Sequence, residues 1–349
     1  MRVDLRAIEG RYLQDLLDQP EALKNTLDAL DISQPILDLA QRLQSGHFQR
    51  IVLTGMGSSF HALHTLNLQL IDHGFTAIMV ETSELIHYQT HLFDPKTLLI
   101  AVSQSGESAE MVRLAEVNRK RSAVIAVTNT PESTLAQQAT AAVFTRAGSE
   151  FSVSCKTYVS ALMVLKWLGD ILCQTDPTQS RGELGSAVPA VAAYLADWKE
   201  HVISLVGLLE GIRQLFLVGR GPSLAAVETG ALIVKESDHF HAEGMSSAAF
   251  RHGPLEMLSE EMFVVVFSGN HKTRDLNARL LVDIREGGGR AEILGEESGL
   301  ECFRLNAQES SIRPILEILP VQMITLALAV LAGREPGKFE LASKITTTE

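Results

Sequence analysis

Cysteine is scarce in this chain. Cys155, Cys173 and Cys302 are the only three in 349 residues, and no two stand at a metal-binding spacing. That excludes a cysteine-held zinc or iron–sulfur site and a disulfide scaffold, and leaves three reduced, buried thiols as the expectation. Basic runs are missing as well. The 30 lysines and arginines are outnumbered by 42 acids, for a net charge of −12, and form no block, so a nucleic-acid surface is not expected. Met1-Arg2-Val3-Asp4 opens the chain without the apolar core of a secretory signal, which points to a cytoplasmic protein. Long apolar runs are also few. The most apolar stretch, 318–333, contains Pro320 and Gln322 and falls short of the roughly 20 residues a membrane span needs. It reads as a core or dimer-interface helix, with no membrane partner.

What the chain does have is an internal repeat. Val52-Leu53-Thr54-Gly55-Met56-Gly57-Ser58-Ser59 returns as Phe216-Leu217-Val218-Gly219-Arg220-Gly221-Pro222-Ser223, so Gly55, Gly57 and Ser59 each recur 164 positions later. The apolar run ending at Ser103 returns as one ending at Ser268, at an offset of 165. A period this long means two tandem domains rather than a solenoid. Apolar runs at 50–55, 76–80, 97–102 and 122–128, then 213–219, 262–267 and 291–294, alternate with amphipathic stretches. That alternation predicts an α/β fold, each half a parallel sheet flanked by helices. Residues 1–45 read as N-terminal helices broken at Pro20, 46–200 as the first domain, 201–333 as the second and 334–349 as a tail. Phe339, Leu341 and Ile345 predict that the tail docks through its apolar side chains.

Ser103-Gln104-Ser105-Gly106-Glu107-Ser108 follows a predicted buried strand and opens a predicted helix. Hydroxyls, a glycine turn and free helix-end amides suit a phosphate, although an N-cap with a serine-rich turn has the same composition. With Gly57-Ser58-Ser59 at a neighbouring strand end, phosphate binding is the stronger reading. The second copy has Ser268-Gly269-Asn270-His271 instead and has lost the hydroxyl cluster. A second concentration of ionisable groups runs from Lys235-Glu236 through His239, His241 and Glu243 to His252-Gly253-Pro254. It suits proton transfer, a metal held by His239 and His241, or simply a charged helix end. Lys344 stands in the tail, where a docked position would favour the neutral, nucleophilic amine.

These motifs, in this order along nearly the whole chain, resemble the isomerase half of glucosamine-6-phosphate synthase, which is built from two sugar-isomerase (SIS) domains. The resemblance implies that Ser59, Ser103, Gln104, Ser105 and Ser108 hold a sugar phosphate, with Gly57, Ser58, Val153 and Ser154 also lining the substrate. It further implies that Lys344, in Leu341-Ala342-Ser343-Lys344, forms an imine with a ketose C2 carbonyl and that Glu236 moves a proton between C1 and C2. His252 would help open the sugar ring from the partner subunit of a homodimer. No metal and no organic cofactor is implied. The chain departs from the family pattern at Ser108, where threonine is usual, at Ile233 for a lysine, and at Ala249 for a glutamate. The loop 150–156 is one residue shorter. No glutaminase domain precedes Met1, so a glutamine-independent reaction is expected: isomerisation or deamination of a phosphorylated ketose or amino sugar. The alternatives are a pure aldose–ketose phosphate isomerase and a non-catalytic sugar-phosphate sensor, although a sensor needs none of Glu236, His252 and Lys344.

Overall fold

A computed structural model describes residues 3–306, 311–341 and 343–346. Nine parallel strands form where the sequence offers residues that suit a sheet covered on both faces. In the first repeat these are β1 (Arg50–Gly55), β2 (Ala77–Glu81), β3 (Thr97–Val102), β4 (Ala123–Thr128) and β5 (Ala141–Phe144), in the order β2-β1-β3-β4-β5. In the second they are β6 (Gln214–Gly219), β7 (Ala242–Ser246), β8 (Met262–Phe267) and β9 (Arg290–Leu294), in the order β7-β6-β8-β9. The two orders superimpose strand for strand, with β6 in the place of β1 and β8 in the place of β3. In each sheet the chain runs outward from that central pair in both directions, and the crevice where strand order reverses is the usual ligand position of such a sheet.

The chain packs as two compact units that interleave along the sequence. The first-repeat unit comprises Glu21–Ser149, Lys156–Ser186 and Leu341–Glu349. The second-repeat unit comprises Met1–Pro20, Glu150–Cys155 and Ala187–Glu340. The first twenty residues thus pack with the second repeat, and the tail is divided at Glu340.

The central strands are buried almost end to end, whereas β5 and β7, absent from the expected set, are sheet edges with partly exposed residues. Between helices Arg11–Leu17 and Gln19–Ala29 the break falls at Asp18, and Pro20 takes the second position of the next helix, where its missing N–H costs nothing. The apolar stretch 318–333 corresponds to helix Leu319–Ala332, preceded by helix Arg313–Glu317. Together these 20 residues are long and apolar enough to cross a membrane, but 83% of the apolar window is buried inside the protein. They form a core helix. Cys155 and Cys302 are buried as expected, while Cys173 is only half-buried, and burial still pushes its thiol up to about 11.

Candidate functional site

In the first-repeat unit two turns meet at the C-terminal ends of β1 and β3. The β1 turn works through two glycines. A Cβ on Gly55 would lie 3.0 Å from the Phe60 amide nitrogen, so only glycine lets the following helix approach this closely. Gly57, at φ +51°, opens that helix, Gly57–Asp72, and leaves Ser58 and Ser59 half-buried in its first turn.

The β3 turn is a braced loop. The Ser103 N–H donates to Val127 O at 3.0 Å, while the Ser103 hydroxyl accepts the Gly106 N–H at 3.1 Å and the Ser105 hydroxyl accepts that of Glu107 at 3.2 Å. Gly106 sits at φ +64°, and a Cβ there would come within 2.3 Å of Ser133 Oγ. Ser133 itself caps helix Thr134–Gln138, accepting the Ala136 N–H at 3.3 Å. The Glu107 carboxylate grips the Thr134 amide and accepts the Thr134 hydroxyl at 3.0 Å. Ser108 is the N-cap of helix Ala109–Asn118 in extended geometry, yet its hydroxyl makes no capping bond. The bland reading of this serine was a cap, and the side chain does not perform that task.

The tail reaches the same helix. The Ala109 N–H donates to Thr346 O at 3.0 Å, which sets Lys344, half-buried, two residues from a backbone anchor on the residue that follows the loop. Docking therefore occurs, but not through the apolar side chains expected to drive it. Leu341 is fully exposed, Ile345 is 38% exposed and Phe339 is half-buried. Main-chain bonds and the Arg334 side chain hold the tail instead. Ala342 lies outside the described residues.

In the second-repeat unit, Glu236 is half-buried near the end of helix Leu224–Asp238. The charged stretch 235–243 does not continue as one helix end. It breaks at His239, left-handed at φ +52°, and His241 leads into β7. His239 Nδ1 lies 3.9 Å from Glu340 and His241 Nε2 lies 3.5 Å from Glu243, so the two rings serve different partners. Two residues after Glu236, Asp238 is buried, and that burial holds its pKa well above the usual carboxylate range, against smaller opposing effects of Ser237 and Arg334. Tyr12, wholly buried and 3.2 Å from the Thr325 hydroxyl, has its phenol pushed up by burial, with the charges of Cys155, Asp238 and Glu236 acting in the same direction.

The segment before Lys344 fastens onto this helix. The Gly337 N–H donates to Ser237 O at 3.1 Å and Arg334 Nη1 to Asp238 O at 3.1 Å. Gly337, at φ +75°, has no room for a Cβ against Tyr12. On the Glu150–Cys155 segment Val153 is buried and Ser154 half-buried, and Glu150 Oε1 accepts the Cys155 N–H at 2.9 Å. His252 ends the short helix Ser247–Arg251 and is exposed. Its turn is anchored by the buried ring of Phe250 against Phe216 and by the Arg251–Asp283 ion pair.

Sequence reasoning passed over Ser133 and Arg334, met Tyr12 only as part of an entry helix and Asp238 only within the charged cluster, and took Gly337 as detaching the tail that its N–H in fact helps to fasten. Only Ser133 carried a local signal, as the serine before a short helix. The others act through contacts across long sequence separations.

At the corresponding turns of the second repeat no hydroxyl cluster remains. Ser223 and Ser268 are buried and bonded to the protein's own side chains. The SIS domain family model matches twice, at residues 47–169 and 208–332. Glutamine–fructose-6-phosphate aminotransferase (isomerizing) of Thermococcus kodakarensis is 30% identical over 97% of this chain, which spans 58% of that relative's length. The C-terminal domain of glucosamine-fructose-6-phosphate aminotransferase from Francisella tularensis superimposes with a TM-score of 0.83 at 22% identity, covering 96% of this chain and 99% of that one. Glucosamine-6-phosphate deaminase from Thermotoga maritima does so at 0.77 and 17%, covering 97% and 100%. Both solved structures share the fold of this chain. With both repeats matched, the chain belongs to the SIS domain family.

Proposed function

We propose that the protein binds a phosphorylated ketose or amino sugar at the first-repeat loop and catalyses isomerisation coupled to release or uptake of ammonia. The observation that carries this reading is the Ala109–Thr346 bond, because it fixes the segment bearing Lys344 to the helix that opens from the serine loop. Ser59, Ser103, Gln104, Ser105 and Ser108 hold the phosphate, at the end of the loop that leads into helix Ala109–Asn118. Gly57, Ser58, Val153 and Ser154 complete the contacts to the sugar.

The amine of Lys344 adds to the C2 carbonyl of an open-chain ketose phosphate and expels water, leaving an imine. Ammonia then displaces the lysine from that imine, freeing Lys344, and Glu236 removes a proton from C1 and returns it to C2, so that the C2=N double bond becomes a C1 carbonyl and a 2-amino aldose phosphate leaves. In the deaminating direction, Glu236 takes the C2 proton of an open 2-amino aldose phosphate and delivers it to C1. The resulting 2-imine then loses ammonia to Lys344 or to water. His252, exposed in one chain, assists ring opening from the partner subunit of a homodimer. The proposed setting is the cytoplasm, with a phosphorylated sugar and a second copy of the chain as partners.

A coupled ammonia-release assay over a panel of amino-sugar and fructosamine phosphates tests this. Ammonia formed from at least one member, together with a ketose phosphate, is the expected result. Interconversion of aldose and ketose phosphates with no nitrogen chemistry would favour the plain isomerase, and binding without turnover of any member would overturn the enzyme reading.

A further inference from the structure

The second repeat superimposes on the first down to single hydrogen bonds. Ser103 N–H donates to Val127 O on β4 at 3.0 Å, and Ser268 N–H donates to Leu294 O on β9 at 2.9 Å. Gly57 and Gly221 share the left-handed conformation, at φ +51° and +58°, and the residues before them, Met56 and Arg220, are both extended. Ser223 is therefore the counterpart of Ser59, and Ser268 of Ser103.

In the second repeat both serines are occupied. Ser223 Oγ donates to Glu317 Oε1 at 2.9 Å, and Ser268 Oγ accepts from Arg313 Nη2 at 2.7 Å. Arg313 Nε closes the circuit on Glu317 Oε1 at 2.7 Å, and its Nη1 reaches Glu296 at 3.2 Å. All four residues are withdrawn from water, Glu317 and Ser268 completely. Gly295, at φ +151°, makes the room, since a Cβ there would fall 2.1 Å from Ser268 Oγ.

We infer that the second-repeat crevice is an anion site carrying its own ligand, with the Glu317 carboxylate seated where a bound anion would sit and Arg313 as its counter-charge. An ordinary core ion pair is a weaker account. Desolvating two charges roughly cancels their attraction, so stability alone would be served as well by apolar residues of similar volume. The pair is explained by where it stands, facing the two register-matched serines. The crevice takes a carboxylate or a phosphate, and Glu317 bars any free anion from it. This rests on reading the first-repeat serines as the phosphate grip.

The test leaves sugar phosphates out, so its failure is separable from failure of the proposed activity. The full-length Glu317→Ala, Glu317→Gln and unaltered proteins are melted in formate, acetate or inorganic phosphate, with ionic strength held constant by chloride. Glu317→Ala should melt lower in chloride and recover saturably, by about 5–10 °C at anion concentrations near a hundred times its Kd. Glu317→Gln, which fills the space with a neutral group, and the unaltered protein should not respond. Equal responses in all three proteins, or no folded Glu317→Ala recovered in any of the anions, would overturn the inference.

Discussion

The two repeats begin from one turn and end in opposite conditions. After β3 the hydroxyls of Ser103, Ser105 and Ser108 line a loop at a helix end, and Ser108 leaves its cap unused. After β8 the chain offers Gly269-Asn270-His271, Asn277 Nδ2 donates to the carbonyls of Phe267 and Ser268 at 2.9 and 3.2 Å, and Arg313 and Glu317 take the serines. The two repeats share a turn, and in the second its serines are taken up by the two ends of one short helix, Arg313–Glu317.

The comparison breaks most sharply at Lys344, which has no counterpart serving the second crevice. Lys344→Arg should lower turnover about a thousandfold or more, because a guanidinium forms no imine. Affinity for inorganic phosphate should stay within about twofold, since the exchange keeps the positive charge. Borohydride reduction in the presence of a ketose phosphate should add the sugar's mass to the Lys344 peptide, and full activity in the arginine variant would remove the imine altogether.

A middle-sized effect separates the serines. Ser105→Ala and Ser108→Ala should each weaken sugar-phosphate binding about tenfold or more by calorimetry, the usual cost of one hydrogen bond to a charged group. Ser268→Ala should lower the melting temperature and leave that affinity unchanged. Equal losses at Ser105 and Ser268 would erase the distinction between the crevices.

The smallest effect sharpens the contrast on the stability side. Burial raises the folded pKa of Asp238 above its unfolded value, so between the two the folded state holds the extra proton. Stability from this group then falls as pH rises from about 4, the unfolded carboxylate value, toward the folded pKa. Asp238→Asn should therefore raise the melting temperature by a few degrees near pH 8 and do nothing near pH 3. A variant curve parallel to that of the unaltered protein would show that Asp238 is not the source.

The central strands were legible because burial on both faces writes a continuous apolar run, as in Leu98 to Val102 and Phe263 to Phe267. The edge strand β7 was not, because Ala242-Glu243-Gly244-Met245-Ser246 has one paired side and polar content. Its Gly244 answers a packing need invisible in sequence: a Cβ would fall 2.5 Å from Val227 O on the adjoining helix. The serine loop was readable from composition plus position at a strand end. The bracing by Ser133, the buried Asp238 and the tail's two main-chain anchors were not, since each pairs residues far apart in the chain. The apolar tail residues misled for a related reason. Leu341 is exposed, and main-chain bonds, which any sequence can make, join the Arg334 side chain in holding the tail.

The cross-bracing of Gly106, Glu107, Ser133 and Thr134 bears on how tightly the loop can hold a small anion. Ordering a flexible loop of this size at the moment of binding would subtract about 1–2 kcal/mol for each backbone residue fixed. Here that entropy is already surrendered during folding, because a left-handed glycine is trapped against one helix cap and a carboxylate clasps the next turn. On the proposed reading of this loop as a phosphate grip, affinity then follows the number and charge of the contacts made and owes little to any rearrangement on arrival.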